Sequence, residues 1–199
     1  TPSPTQQQRW VPCPRTRRGL IAGMDFVVVP TVRFRLLYVW FAIDHGRRRI
    51  LHFNVTENPT SRWVIQQLRE TFPDEPTHRY LIYDNDAIFS SAVTSTIKSF
   101  EIDPKRTAFR SPWQNGTAER LVGSFRRELL DHVVVLNEDH LRRLLREYVD
   151  YYNDERVHTS IGDAPNGRPV GSRPSEHSKV IRFPRVGGLH HRYVWREAA

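Results

Sequence analysis

The sequence predicts an α/β fold, a five-stranded mixed sheet flanked by helices, on three observations. Three runs rich in aromatic and β-branched residues come first, joined by short links. Helical and strand patterns then alternate, and the chain is long and apolar enough for one packed domain. It has 199 residues, 38% hydrophobic and 26% charged, so it can bury most of its unfolded surface without a disulfide. The single cysteine, Cys13, excludes an internal disulfide and any zinc site built on two or more cysteines of this chain.

Residues 23–29 (GMDFVVV) read as the first strand, ended by Pro30. Residues 35–43 (RLLYVWFAI) are the second, and Asp44-His45-Gly46-Arg47 is a turn. Residues 49–55 return as the third, completing an antiparallel meander. A helix follows. Asn58 can cap it, Pro59 suits its first position, and Val64, Leu68 and Phe72 recur every four residues. Pro73 and Pro76 stop it. Residues 80–83 (YLIY) are a short buried strand. Phe89, Val93, Ile97 and Phe100 mark a second helix, and residues 105–109 a fifth strand. Residues 115–132 form a third helix, with Ala118, Leu121, Val122, Phe125 and Leu129 on one face. Asn137 caps a fourth, striped by Leu141, Leu144, Leu145, Tyr148 and Tyr152. Beyond Gly162 only 180–183 and 191–195 suggest strands, in a small appended element. The order β-β-β-α-β-α-β-α-α is that of a ribonuclease H-like fold.

The net charge is +8, from 30 Lys and Arg against 22 Asp and Glu, and it is unevenly spread. Residues 1–23 contribute +4 and residues 164–199 contribute +5, leaving −1 for the body between them. A near-neutral body between basic ends points to a polyanionic partner, most often nucleic acid; solubility is the competing account. The longest apolar run, 36–43, is far short of the roughly 20 residues that span a bilayer. The start of the chain holds no apolar secretory stretch, so a reducing cytosol is the expected compartment. The chain opens on Thr1 rather than Met, as a fragment would.

Three acids stand out by position. Asp25 lies inside the first strand among Met24, Phe26, Val27 and Val28, where a carboxylate is costly unless paired or bound to metal. Asp84 directly follows the strand at 80–83, and strand ends are where such sheets bind ligands. Taken singly it also reads as a turn residue beside Asn85 and Asp86. Glu119 sits in the first turns of the third helix, where the helix dipole alone favours an acid. If the first and fourth strands are neighbours, Asp25 and Asp84 face each other, and a helix over that sheet edge brings in Glu119. Three converging carboxylates need a compensating cation, and oxygen ligands favour Mg2+ or Mn2+. Two such ions about 4 Å apart can activate a nucleophile, stabilise a leaving oxygen and neutralise a phosphate. That is the chemistry of breaking and joining phosphodiester bonds.

Local motifs surround these acids. Tyr83-Asp84-Asn85-Asp86-Ala87-Ile88-Phe89 carries the second, and 34 residues separate it from the third. Ser111-Pro112-Trp113-Gln114-Asn115-Gly116-Thr117-Ala118-Glu119 carries the third, and Tyr151-Tyr152-Asn153 with Arg156, His158 and Ser160 follows downstream. In these motifs residues 21–162 resemble the Asp-Asp-Glu catalytic core of the retroviral-integrase and bacterial insertion-sequence transposase superfamily. Asp86 departs from it, standing where the family often has Gly, and neither a His/Cys zinc module nor an upstream helix-turn-helix is evident.

The resemblance implies a catalytic core at 21–162, between a basic lead-in at 1–20 and a basic tail or small β element at 163–199. It implies that Asp25, Asp84 and Glu119 hold two Mg2+ or Mn2+ ions. The implied activity is nicking of element DNA ends and joining of the 3′-hydroxyl to target DNA. The implied protein is a homo-oligomer in the bacterial cytoplasm, associated with the nucleoid, with neither a membrane partner nor a small-molecule cofactor. The competing functions are a catalytically decayed DNA-binding remnant and a ribonuclease H-type nuclease.

Around the triad, Gln114 and Asn115 can hydrogen-bond DNA, although Asn115 can instead cap the third helix. Arg120, Arg126 and Arg127 can neutralise phosphates, or pair on a solvated face with Glu128 and Asp131. Arg47, Arg48 and Arg49 can grip a backbone or protect a sheet edge. Trp113 is read as packing its loop rather than stacking on a base, His158 as structural, and His190 and His191 as too few for a zinc site.

Overall fold

A computed structural model of the chain describes residues 19–74, 77–108, 111–161 and 172–197. Strand β1 (Ile21–Pro30) pairs antiparallel with β2 (Leu36–Asp44), and β2 with β3 (Ile50–Thr56), which is the expected meander. Helix α1 (Ser61–Thr71) leads to β4 (Tyr80–Tyr83), and α2 (Ser91–Ser99) leads to β5 (Asp103–Arg106). β4 runs parallel to β1 and β5 parallel to β4, giving a sheet of order β3-β2-β1-β4-β5. α3 (Gly116–Glu128) and α4 (Glu138–Asp154) follow. A separate antiparallel hairpin of β6 (Lys179–Arg185) and β7 (His190–Arg196) comes last.

Both faces of the sheet are covered, which is why β2 reads as an unbroken apolar run. Leu37, Val39, Phe41 and Ile43 of β2 and Val27 and Val29 of β1 pack against Leu121 and Phe125 of α3 and Leu145 and Tyr148 of α4. Trp40, Ala42, Ala22 and Met24 face the other way, against α1 and α2. Side chains alternate along a strand, so Asp25 shares the face of Val27 and Val29 and points to the α3 side.

Three elements have boundaries that differ from the sequence reading for local reasons. Thr60, not Asn58, caps α1: its Oγ1 accepts from the Trp63 N–H at 3.2 Å, the three-residue reach a cap needs, and Pro59 lies outside the helix. β5 begins at Asp103 and stops at Arg106, because its ladder on the four-residue β4 ends at Tyr83↔Arg106; Phe109 lies outside the described residues. The expected helix at 115–132 is three pieces. A 3-10 turn (Pro112–Asn115) enters α3, and Leu129, buried at φ −138° and ψ −64°, breaks it before a second 3-10 turn (Leu130–His132). Asn115 makes no side-chain cap.

Two side-chain straps tie helices to the sheet. Asn115 donates from Nδ2 to the Met24 carbonyl at 3.1 Å, beside Asp25. Gly23 makes room for it: a Cβ there would lie 2.7 Å from Asn115 Oδ1 and 2.8 Å from His45 Nε2. At the other end, Asn153 bonds both backbone groups of Ile50, at 2.8 and 3.0 Å, and closes α4 onto β3. Below it, Arg156 forks Glu128 at 2.7 and 2.9 Å, and the Tyr148 hydroxyl donates to the same carboxylate at 2.8 Å, joining α3 to α4.

Gly23→Ala is expected to lower the melting temperature by several degrees, through the collision with Asn115 and His45; an unchanged melt would deny the close approach. Asn115→Ala is expected to cost about 1–3 kcal/mol in denaturant titration. Burial alone would raise the Glu128 carboxyl, but hydrogen bonds from Arg156 and Tyr148 outweigh it and hold the group below its ordinary value. The unfolded chain therefore takes up the proton first. The stabilisation is present above the unfolded carboxylate value, about 4.3, and is lost as pH falls through the folded one. Glu128→Gln should accordingly lose less stability than the parent between about pH 5 and pH 3, measured by thermal melts.

Candidate active site

β1 and β4 pair in parallel register up to Gly23↔Ile82. Two residues further along each stand Asp25, inside β1, and Asp84, just past the end of β4, with the same parity. α3 crosses that end of the sheet and brings in Glu119 from its first turn. One carboxylate oxygen from each of Asp25, Asp84 and Glu119 lies within 4.8 Å of the other two. Asp25 and Asp84 are half-buried and Glu119 is exposed, so the group opens to solvent on the helix side.

Its electrostatics are those of an uncompensated cluster. Burial pushes the Asp25 carboxyl up to about 7, against the pull of a 2.7 Å hydrogen bond from the Phe26 N–H, and the charges of Asp84 and Glu119 add to the rise. Glu119 is raised as well, by burial and then by Asp84. Thr107 Oγ1 donates to Asp84 Oδ1 at 3.2 Å. Three carboxylates with a clear approach form an all-oxygen donor set, which suits a hard divalent cation such as Mg2+ or Mn2+.

Asp86 stands apart from the three. Its Oδ1 accepts from the Ile88 N–H at 2.9 Å and its carbonyl from the Phe89 N–H at 3.1 Å, which turns the loop after Asp84 back on itself. Phe89 is thereby buried edge-on against Tyr83, with ring centroids 5.2 Å apart. Arg106 braces the same loop. It reaches Asn85 Oδ1 at 3.3 Å, bonds the Phe89 carbonyl and lies over the Tyr83 ring. The residues of β5, Asp-Pro-Lys-Arg, gave no sign of this role; the parallel register of β4 and β5 creates it.

The flanking residues divide. Arg120, Arg126 and Arg127 are exposed on α3, Arg127 folding back over Gly123. Gln114 is half-buried and accepts from the Ala108 N–H at 2.7 Å, closing the approach to α3. Asn115 is not at the surface: it is 0% exposed and strapped to Met24, so a contact with DNA is corrected to a structural role. Trp113 is also corrected. It is 73% exposed, and the turn is held instead by Gln114 and Asn115, which follow it. Arg48, at φ +61°, donates to Thr117 Oγ1 at 2.7 Å and braces the start of α3. His158 is structural as expected. It is buried against Tyr152, bonds the Tyr152 carbonyl at 3.2 Å, and burial lowers it toward the neutral form. Among the described residues no helix is long and apolar enough to cross a membrane.

Comparison with known proteins bears on this geometry. Residues 101–165 match the integrase core domain family. The chain is 26% identical over 136 residues to the putative transposase InsD for insertion element IS2E of Escherichia coli (strain K12), covering 63% of this chain and 62% of that one. A match of the same identity covers only 44% of the InsD transposase of other IS2 copies, so the chain spans about half the length of the curated relatives it matches. In fold it is similar to a chain of the simian T-cell lymphotropic virus intasome, with a TM-score of 0.63 at 18% identity, covering 90% of this chain and 69% of that one. The HTLV-2 integrase catalytic core domain, solved in complex with magnesium, gives 0.58 at 14%, covering 74% and 93%. The five-stranded sheet flanked by helices is thus that of the ribonuclease H-like cores, and over residues 101–165 the chain is similar in sequence to the integrase core domain family.

Proposed function

We propose that this chain is the catalytic core of a metal-dependent DNA strand-transfer enzyme, a polynucleotidyl transferase that nicks element DNA ends and joins the 3′-hydroxyl to target DNA. The observation that carries the proposal is the meeting of Asp25, Asp84 and Glu119 within 4.8 Å. Residues 21–162 form the proposed catalytic unit, acting in a homo-oligomer, with the basic ends as DNA-contacting additions.

The three carboxylates are the proposed ligands of two Mg2+ or Mn2+ ions, which when bound supply positive charge at the attacking and leaving oxygens of a phosphodiester. The chain's own part is positional. Parallel pairing of β1 and β4 sets the two aspartates side by side, and α3, strapped through Asn115, sets Glu119 opposite them. Exposed Arg120, Arg126 and Arg127 are the proposed phosphate contacts along α3, with Gln114 at the turn before it. The first step adds water across a phosphodiester, leaving a 3′-hydroxyl and a 5′-phosphate. In the second, that hydroxyl oxygen bonds the target phosphorus and the target's own 3′-oxygen leaves with the proton. One phosphodiester replaces another, so no nucleotide cofactor is needed.

Plasmid nicking, and transfer of an oligonucleotide 3′-end into plasmid DNA, test this directly. Divalent-ion-dependent activity is expected, falling by about 10³-fold in Asp84→Asn and Glu119→Gln while the fold is retained. Activity that survives Glu119→Gln, or a parent protein inert with both ions, would refute the proposal. Preference for an RNA–DNA hybrid would replace it with a ribonuclease H-type activity.

The Asp25 carboxyl, at about 7, links metal binding to pH. The folded, metal-free chain keeps a proton that the unfolded chain has lost, so its stability falls as pH rises from about 4 toward 7. A divalent cation must displace that proton. Mn2+ affinity by titration calorimetry should therefore rise with pH and level off above neutrality, with protons released on binding. An affinity independent of pH would contradict the assignment of Asp25 as a ligand.

A further inference from the structure

We propose that the β6–β7 hairpin is a stacking platform for unpaired bases of a DNA strand, held at a fixed distance from the triad. The proposal rests on the reading of this chain as a DNA-processing protein and adds a second contact surface to it.

One face of the hairpin is committed to the core. Arg185 forks Glu155 of the α4 C-cap at 2.8 and 3.0 Å, and Arg192 reaches the same carboxylate at 3.7 Å. His190 stacks on Tyr151, with centroids 4.4 Å apart and planes 10° apart, while its Nε2 meets the Glu128 carbonyl at 2.8 Å. Val186, between the strands, is buried in the cluster under α3 and α4. The hairpin is therefore seated, not tethered. Glu128 lies nine residues along α3 from Glu119, about 13 Å on the helix axis. The seat and the triad share one rigid element.

The opposite face is exposed along both strands. The ladder pairs Arg182 with Tyr193 and Val180 with Trp195, which places these four side chains together on that face. Tyr193 is 65% exposed, Val180 54% and Trp195 39%. The Arg173 guanidinium lies 5.8 Å over the Trp195 ring. Residues 177–196 carry five Lys or Arg and no acid. Exposed rings alone would suit a protein partner. Rings interleaved with arginine, on an acid-free strand pair, suit single-stranded nucleic acid: bases stack on the rings, and guanidinium groups take the phosphates or stack in turn.

Anisotropy titrations in EDTA, with a fluorescent single-stranded oligonucleotide and its duplex, separate this surface from the chemistry. The double variant Arg182→Ala/Tyr193→Ala changes only exposed side chains, and its melt reports the fold. Single-strand affinity is expected to fall about 10- to 100-fold, duplex affinity much less, and the salt slope by about one. Tyr193→Phe should retain the affinity, because the ring face remains. Unchanged single-strand binding overturns the proposal, and so does an equal loss on both substrates, which would leave phosphate attraction alone. If the double variant melts early, Tyr193→Ser alone decides by the same readout. A parent that binds single strands through the hairpin yet nicks nothing with Mn2+ refutes strand transfer and leaves this surface standing. A parent that nicks normally, with variants that bind normally, does the reverse.

Discussion

Asp25, Asp84 and Glu119 crowd three like charges together, and the charge of Asp84 makes both Asp25 and Glu119 harder to ionise. At 4.8 Å and an effective dielectric near 20, two like charges repel by about 3 kcal/mol, and burial adds to the cost of charging Asp25. The fold holds them together nonetheless, because each is delivered by an element fixed for other reasons. β1 is central in the sheet and packed on both faces, β4 is locked beside it by parallel pairing, and α3 is pinned by Phe125, which meets Phe41 at 5.6 Å and Tyr148 at 5.5 Å. Repulsion at the site is opposed by apolar packing less than two helical turns away.

The downstream segment from Tyr151 to His158 serves that packing. Its asparagine clamps β3, its arginine forks the carboxylate that ends α3, and its histidine closes on a carbonyl of α4. None of the three reaches the triad in the described structure. They fix the angle at which α3 lies on the sheet, and through it the position of Glu119. A motif recognisable by its chemistry-bearing residues is here architectural.

Much of this was legible in the residues. The apolar run of β2 and the four-residue spacing in α1 and α4 report burial on two faces and on one, and burial is what sequence pattern encodes most directly. Asp25 stood out because an acid within such a strand has no inexpensive explanation. Boundaries were less legible. Asn58 is in isolation at least as good a cap as Thr60, and only the backbone geometry around Pro59 selects the threonine. Asn115 and Trp113 were misread in opposite senses, the polar residue lying inside and the aromatic one outside. Their local pattern is silent because the deciding partner, the Met24 carbonyl, is distant along the chain. The role of Arg106 depends likewise on strand register.

The straps before α3 have an effect on chain length. Thr107 is bonded to Tyr83, Ala108 to Gln114 and Asn115 to Met24, so the end of β5 and the turn that enters α3 are anchored to the sheet and to each other. A connection secured in this way measures out a set span, as a guy-rope does, and its slack cannot change without pulling the helix off the sheet. Insertions or tags placed between Ser111 and Gly116 would therefore register at the carboxylates.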